Sequence, residues 1–94
     1  MIRLAGTGCY ITELNSKKLR LKGPLYYEVE GGEQWRVNSE YIDEAGYGAN
    51  FEEAMSDFKS SVVDLYFVLS KRAAKLGGST KTTWERLKSL LDEE

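Results

Sequence analysis

Ninety-four residues with 41% hydrophobic and 30% charged side chains and a net charge of -2 at pH 7 describe one soluble folded domain with a modest core and no overall pull toward nucleic acid. Histidine is absent and Cys9 is the sole cysteine. That excludes imidazole acid–base chemistry, Ser-His and Cys-His nucleophile pairs, histidine metal ligands, an internal disulfide and a multi-cysteine zinc site.

Taken from the start, Met1-Ile2-Arg3 lacks the long apolar segment of a signal peptide, and no apolar run approaches the ~20 residues of a membrane span, so a cytoplasmic protein is expected. Residues 1–8 are weakly patterned; Gly6-Thr7-Gly8 lacks the third glycine and the preceding strand that a phosphate-binding fingerprint needs. Cys9 reads as a small, buried or half-buried hydrophobe. Residues 10–14 (Tyr-Ile-Thr-Glu-Leu) are rich in strand formers, and Asn15-Ser16 is a plausible tight turn into residues 17–22, which predicts a hairpin. In its second arm Leu19 and Leu21 alternate with Lys18, Arg20 and Lys22, the pattern of a half-buried strand whose basic face stays in solvent.

Pro24 has no N–H for a ladder and marks a strand start. Leu25, Tyr27 and Val29 then alternate with Tyr26, Glu28 and Glu30, Gly31-Gly32 turns the chain, and Trp35 and Val37 alternate with Gln34, Arg36 and Asn38. A second hairpin follows from this, with a short addition at Tyr41 and Ile42.

Residues 46–76 organise the rest: a Gly-Tyr-Gly loop opening into one long helix. Asn50 can cap it, with Glu53 three residues on to complete a capping box. Ten apolar residues from Phe51 to Leu76 (among them Ala54, Phe58, Val62, Tyr66, Leu69 and Ala73) fall within an arc of roughly 120°. Acidic side chains open the helix, Lys71, Arg72 and Lys75 close it, and Gly77-Gly78 stop it. Such a face needs a sheet beneath it. A polar link then leads to Thr82 or Thr83, either of which can cap a short helix over about residues 82–91, with Asp92-Glu93-Glu94 expected to fray.

The predicted fold is α+β: a three- to four-stranded antiparallel sheet packed on one long helix, plus a short C-terminal helix, in a single domain over residues 1–94 with its core over about residues 10–76. The segment Tyr47-Gly48-Ala49-Asn50-Phe51-Glu52-Glu53-Ala54, entered from a strand and followed by a long helix, resembles the N-terminal domain of HicB-like antitoxins. The likeness covers roughly residues 19–76 and includes Pro24-Leu25-Tyr26 and Asp64-Leu65-Tyr66. It implies a sheet-and-helix domain that binds and masks a small ribonuclease toxin. In that family a separate C-terminal segment binds operator DNA. The tail after Gly78 is too short for a helix-turn-helix and carries no basic recognition helix, so the chain looks like a short, stand-alone member.

Two surfaces are candidates for a partner. Val63 and Phe67 lie outside the inward arc of the long helix and form a smaller apolar stripe. Trp84, Leu87 and Leu91 of the closing helix can cover it within one chain or between two, which makes these five residues the candidate interface of a partner or homodimer, with exchange of the closing helix as one form of it. The second surface is acidic: nine carboxylates stand against Arg36 alone between Glu28 and Asp57. Glu28, Glu30, Asp43 and Glu44 are the candidate face for a basic partner, with an ordinary solvated surface as the plain alternative. The expected function is therefore a non-catalytic interaction module needing no cofactor. The alternatives are a metal-dependent enzyme using the acidic cluster, or a nucleic-acid reader stacking bases on Tyr26, Tyr47 and Trp35, which the carboxylates beside Tyr26 disfavour.

Overall fold

A computed structural model describes residues 2–93, with side chains from residue 9 onward. Six strands and two helices follow one another as β1 (Ile2–Ile11), β2 (Leu19–Leu21), β3 (Leu25–Gly31), β4 (Trp35–Ser39), β5 (Glu44–Gly48), α1 (Phe51–Ser70), α2 (Gly78–Leu90) and β6 (Leu91–Glu93). Four strands form an antiparallel sheet in the order β1-β3-β4-β5, and β2 pairs with β6 in a separate two-stranded ribbon. The α+β layer expected from the sequence is present, with α1 lying across β4 and β5.

The helix-facing row of the sheet is Val29, Val37 and Gly46, one residue from each of three neighbouring strands. Val29 and Val37 are buried, as are Ala54, Phe58, Val62, Tyr66 and Leu69 on the facing side of α1. Burial of these side chains is the main force holding the layers together, at about 25 cal/mol per Å² of apolar surface. Glycines at 46 and 48 let α1 come close. A Cβ at Gly46 would run into the backbone of Phe58 and the carbonyl oxygen of Ala54, and one at Gly48 into Glu53 and Ala54. Gly46-Tyr47-Gly48, predicted as a loop, is therefore part of edge strand β5. Glycines that punctuate an isolated sequence here serve close packing.

The capping of α1 agrees with its sequence at one bond and departs at the other. Asn50 Oδ1 accepts from the Glu53 N–H at 2.9 Å, the N-cap bond, a type worth about 1 kcal/mol. Glu53 reaches back to the Asn50 side-chain amide at 3.1 Å and the Ala49 N–H at 3.5 Å, and not to the cap's own N–H. At the other end α1 stops at Ser70, six residues before the predicted Leu76. The Ser70 hydroxyl bonds back to the Phe67 carbonyl at 2.9 Å, and the Arg72 N–H to Leu69 O at 3.0 Å, so the last turn tightens and a 3-10 turn follows at Ala73–Lys75. Ala73 is exposed, and Lys71, Arg72 and Lys75 fall outside the helix. Their spacing continued the helical period by coincidence.

Other local expectations change because of long-range pairing. Residues 2–8, weakly patterned, belong to β1, and residues 10–14 do not pair with residues 17–22. Instead β1 pairs with β3, matching Ala5 to Glu28 and Tyr10 to Tyr26, so that residues 6–9 stand against Tyr27 alone as a bulge. Asn15, with φ 54°, does turn the chain. The partner of β2 comes from the far end of the sequence: Leu19, Arg20 and Leu21 face Glu93, Asp92 and Leu91. The acidic tail therefore does not fray through residue 93, while Glu94 lies outside the described residues. Arg20 and Lys22 approach Asp92 at 3.4 and 3.7 Å, so the basic strand face and the acidic tail answer each other. These exposed pairs set register more than they stabilise. Tyr66 donates to Glu93 Oε2 at 3.1 Å, and burial, with that hydrogen bond and the nearby carboxylates, raises its phenol above the ordinary range.

The closing helix also starts earlier than predicted, at Gly78 with Gly77 as N-cap. Thr82 does not cap; its hydroxyl faces the Gly78 carbonyl at 3.5 Å, the alternative use of a hydroxyl inside a helix. No helix among the described residues is long and apolar enough to cross a membrane.

Candidate functional site

The closing helix folds back on its own chain. Trp84, Leu87 and Leu91 are 8%, 0% and 3% exposed, and Trp84 stacks against Tyr66 with ring centroids 5.1 Å apart. Arg86 fixes the helix to the turn after β4, donating to the Tyr41 carbonyl at 2.8 Å with its guanidinium 4.8 Å from the Tyr41 ring. Three of the five candidate interface residues are thus already core within one chain. Val63 and Phe67 are half-buried and packed against the core cluster. The chain at residues 14–16 flanks Val63, and Lys18 places its ammonium 5.9 Å from the Phe67 ring. The segment after β1, which the sequence reading gave to a hairpin, supplies this cover.

The acidic candidates come together differently. Strand pairing sets Glu28 beside Asn38 and Asn38 beside Ala45, and in the next row Glu30 beside Arg36 and Arg36 beside Tyr47. These rows lie on the sheet face opposite the Val29–Val37–Gly46 row, because successive residues of a strand alternate. Glu30 Oε1 lies 3.7 Å from Arg36 Nη1, so this guanidinium is turned toward the sheet face, where strand pairing also sets Arg3 beside Glu30. Tyr26 and Tyr10 stack edge-on at 5.6 Å at one end of that face, 55% and 50% exposed.

Where β4 turns into β5, Asn38, Ser39, Glu40, Asp43 and Glu44, with Arg36 at the rim, enclose an open cleft of about 270 Å³. Glu28 adjoins it through its pairing with Asn38, so three of the four predicted acidic residues border one region and Glu30 lies one row away. Asp43 sits at the turn with φ 52°. Other members of the nine-carboxylate cluster serve local structure. Asp57 accepts from the Tyr47 N–H at 2.9 Å and Glu44 Oε1 from the Ala45 N–H at 2.9 Å, which blocks two amides of edge strand β5 against pairing with another strand. Glu53 belongs to the helix cap.

Sequence alternation alone did not single out Asn38 and Ser39. They are 7% and 3% exposed, and Asn38 Oδ1 and Ser39 Oγ are buried without a hydrogen-bond partner. An unpartnered buried polar atom costs about 1–3 kcal/mol of desolvation. Ser39→Ala removes one such atom and no contact, so we expect the unfolding free energy to hold or to rise by about 1 kcal/mol in urea denaturation; a loss of stability would show that the hydroxyl is satisfied. Only the turn geometry that buries β4's last two residues exposes this feature. A short polar pair at a strand end gives no sequence signal of its own.

Among the described residues no group of three or more carboxylate and thiol side chains is placed to hold a metal ion. Cys9 is a free, half-buried thiol. Burial first, and then its electrostatic interaction with Cys9, raises the Tyr27 phenol above the ordinary range. The chain matches no protein-family model, no curated protein and no solved structure at a significant level.

Proposed function

We propose that this chain is a non-catalytic protein-interaction module of the HicB-like antitoxin type, which binds and masks a small basic partner such as an RNA-cleaving toxin through the acidic end of its open sheet face. The observation that carries this reading is the grouping of Glu40, Asp43 and Glu44 on one open cleft where β4 turns into β5, with Glu28 on the neighbouring strand paired to Asn38. Complementary charge of this kind speeds encounter and sets orientation. The α+β architecture is of the kind that the resemblance implies. Self-association has less to support it, since Trp84, Leu87 and Leu91 are spent on the chain's own core and the amides of β5 at Ala45 and Tyr47 are capped.

The test is calorimetric titration with the product of an adjacent reading frame that encodes a short basic protein, across a salt series from about 50 to 300 mM, over which exposed charges become screened. Affinity is expected to fall about tenfold over that range and again about tenfold in Glu40→Lys/Asp43→Lys, with the melting temperature unchanged. Binding that ignores both salt and charge reversal, or no binding, overturns the reading.

A further inference from the structure

The two edges of the sheet are built differently. β5, five residues long, has its outward amides at Ala45 and Tyr47 each taken by a carboxylate, Glu44 Oε1 and Asp57 Oδ2, both at 2.9 Å. At the other edge β1 runs for ten residues with Arg3 as its one charge and no proline, and among the described residues it pairs on one side only, with β3. Charged side chains, prolines and short length are what keep an edge strand from pairing further, and β1 has almost none of them. We propose that β1 pairs antiparallel with β1 of a second copy of this chain, joining two four-stranded sheets into one continuous sheet. The bulge at residues 6–9 is the one guarding device present, and it sets the register of this contact rather than closing the edge.

That register follows from which backbone groups face outward, since hydrogen-bonded and non-bonded pairs alternate along an antiparallel ladder. Ala45 and Tyr47 turn their N–H groups away from β4, so Gly46 is the bonded partner of Val37. The bonded pairs of the next ladder are then Glu28–Asn38 and Glu30–Arg36, and those of the third are Leu4–Val29 and Ile2–Gly31. Arg3 and Ala5 are left with their backbone groups on the free side. Beyond the bulge the alternation has shifted: Ile11 bonds to Leu25, and Tyr10 faces out. Outward positions are therefore odd before the bulge and even after it. A two-fold axis between Gly6 and Thr7 sets Arg3 opposite the partner subunit's Tyr10 and Ile2 opposite the partner subunit's Ile11, so both arms of the strand pair. A register that joins two odd positions pairs the first arm alone. The favoured one also sets the strand's one charged position against an aromatic one, and Tyr10, 50% exposed, has area to bury. A second copy suits this edge because one free strand supplies both halves of the contact. β1 lies across the sheet from β5, so the paired form leaves the β4–β5 cleft open in both copies.

The experiment is sedimentation velocity of the full chain from about 5 to about 500 µM, the range in which small interfaces associate, with NMR amide exchange at both ends of it. Wild type is expected to pass from monomer to dimer, and protection at Arg3, Ala5 and Tyr10 to rise with concentration while that at Ala45 and Tyr47 stays constant. Ala5→Pro removes an outward N–H and no bond to β3, a setting in which an edge strand accepts proline. It is expected to stay monomeric to the top of the range and, at the bottom of it, to melt within about two degrees of wild type. Tyr10→Lys places like charges opposite each other at two symmetry-related positions and is expected to weaken the dimer about tenfold, whereas Tyr10→Glu holds or tightens it. Both are exposed changes, so they read the register even where Ala5→Pro fails to fold. A wild type that stays monomeric throughout overturns the proposal. So does a dimer that folded Ala5→Pro forms equally well, or one that Tyr10→Lys and Tyr10→Glu affect alike.

Discussion

Gly46→Val is expected to abolish the fold. A Cβ at this position would overlap the backbone N and Cα of Phe58 and meet the carbonyl oxygen of Ala54, and none of these can swing aside as a side-chain tip can. The helix would have to rise from β5, which parts Phe58 and Val62, both 0% exposed, from Val37 and the rest of the sheet-side core. Loss of contact along a whole interface costs more than a single cavity, and a cost above about 5 kcal/mol reaches into the 5–15 kcal/mol that holds a domain of this size together. Circular dichroism and amide dispersion in NMR would report it. Gly23→Ala is the matched control, because a Cβ there meets nothing within 4 Å. It should melt within a degree or two of wild type. A Gly46→Val protein as stable as that control would mean that α1 does not approach β5 as closely as the structure has it.

Leu91→Asp is the second large effect. Leu91 is 3% exposed, at the junction where α2 passes directly into β6, and it pairs with Leu21 across the ribbon. Removing a buried leucine costs about 2–5 kcal/mol, and a carboxylate in its place adds a desolvation penalty unless the ribbon opens. Opening the ribbon breaks the Lys22 N–H to Leu90 O bond of 2.7 Å and the Tyr66 to Glu93 bond, and it uncovers Leu19, Leu21 and Leu87. The expected result is a loss of roughly 4 kcal/mol in urea denaturation. In a Trp35→Phe background the emission of Trp84 should shift to the red, since its ring is only 8% exposed in the native chain. An unshifted spectrum with an unchanged midpoint would show that the C-terminal segment contributes nothing to the core.

Elements whose pattern is local were legible in the sequence. The β3–β4 hairpin could be read from Pro24, the strict alternation after it and Gly31-Gly32; the start of α1 could be read from Asn50 and Glu53 and the inward face of α1 from the 3.6-residue period. Each depends on residues within about ten positions of one another. Two of the departures are long-range and one is local. The pairing of β1 with β3 spans the intervening β2, the partner of β2 lies some seventy residues away, and Ser70 ends a helix whose apolar period runs on to Leu76. Periodicity measures which faces want burial and says nothing about which distant segment will provide it.

The candidate site divides along the same line. Its carboxylates could be counted in the sequence, as a run of acidic positions with Arg36 alone among them. Their sorting into helix cap, edge protection and cleft rim could not, because Asp57 reaches Tyr47 and Glu28 meets Asn38 only after the strands pair. By itself, then, the sequence determined the fold class, the helix–sheet layer and the absence of imidazole and multi-cysteine chemistry, since composition and local period suffice for these. Tertiary structure decided that the acidic tail closes onto the basic strand, that Trp84, Leu87 and Leu91 serve their own chain, and that Asn38 and Ser39 are buried polar residues beside a carboxylate-bordered cleft. These depend on which surfaces meet, and that is settled by burial across the whole chain.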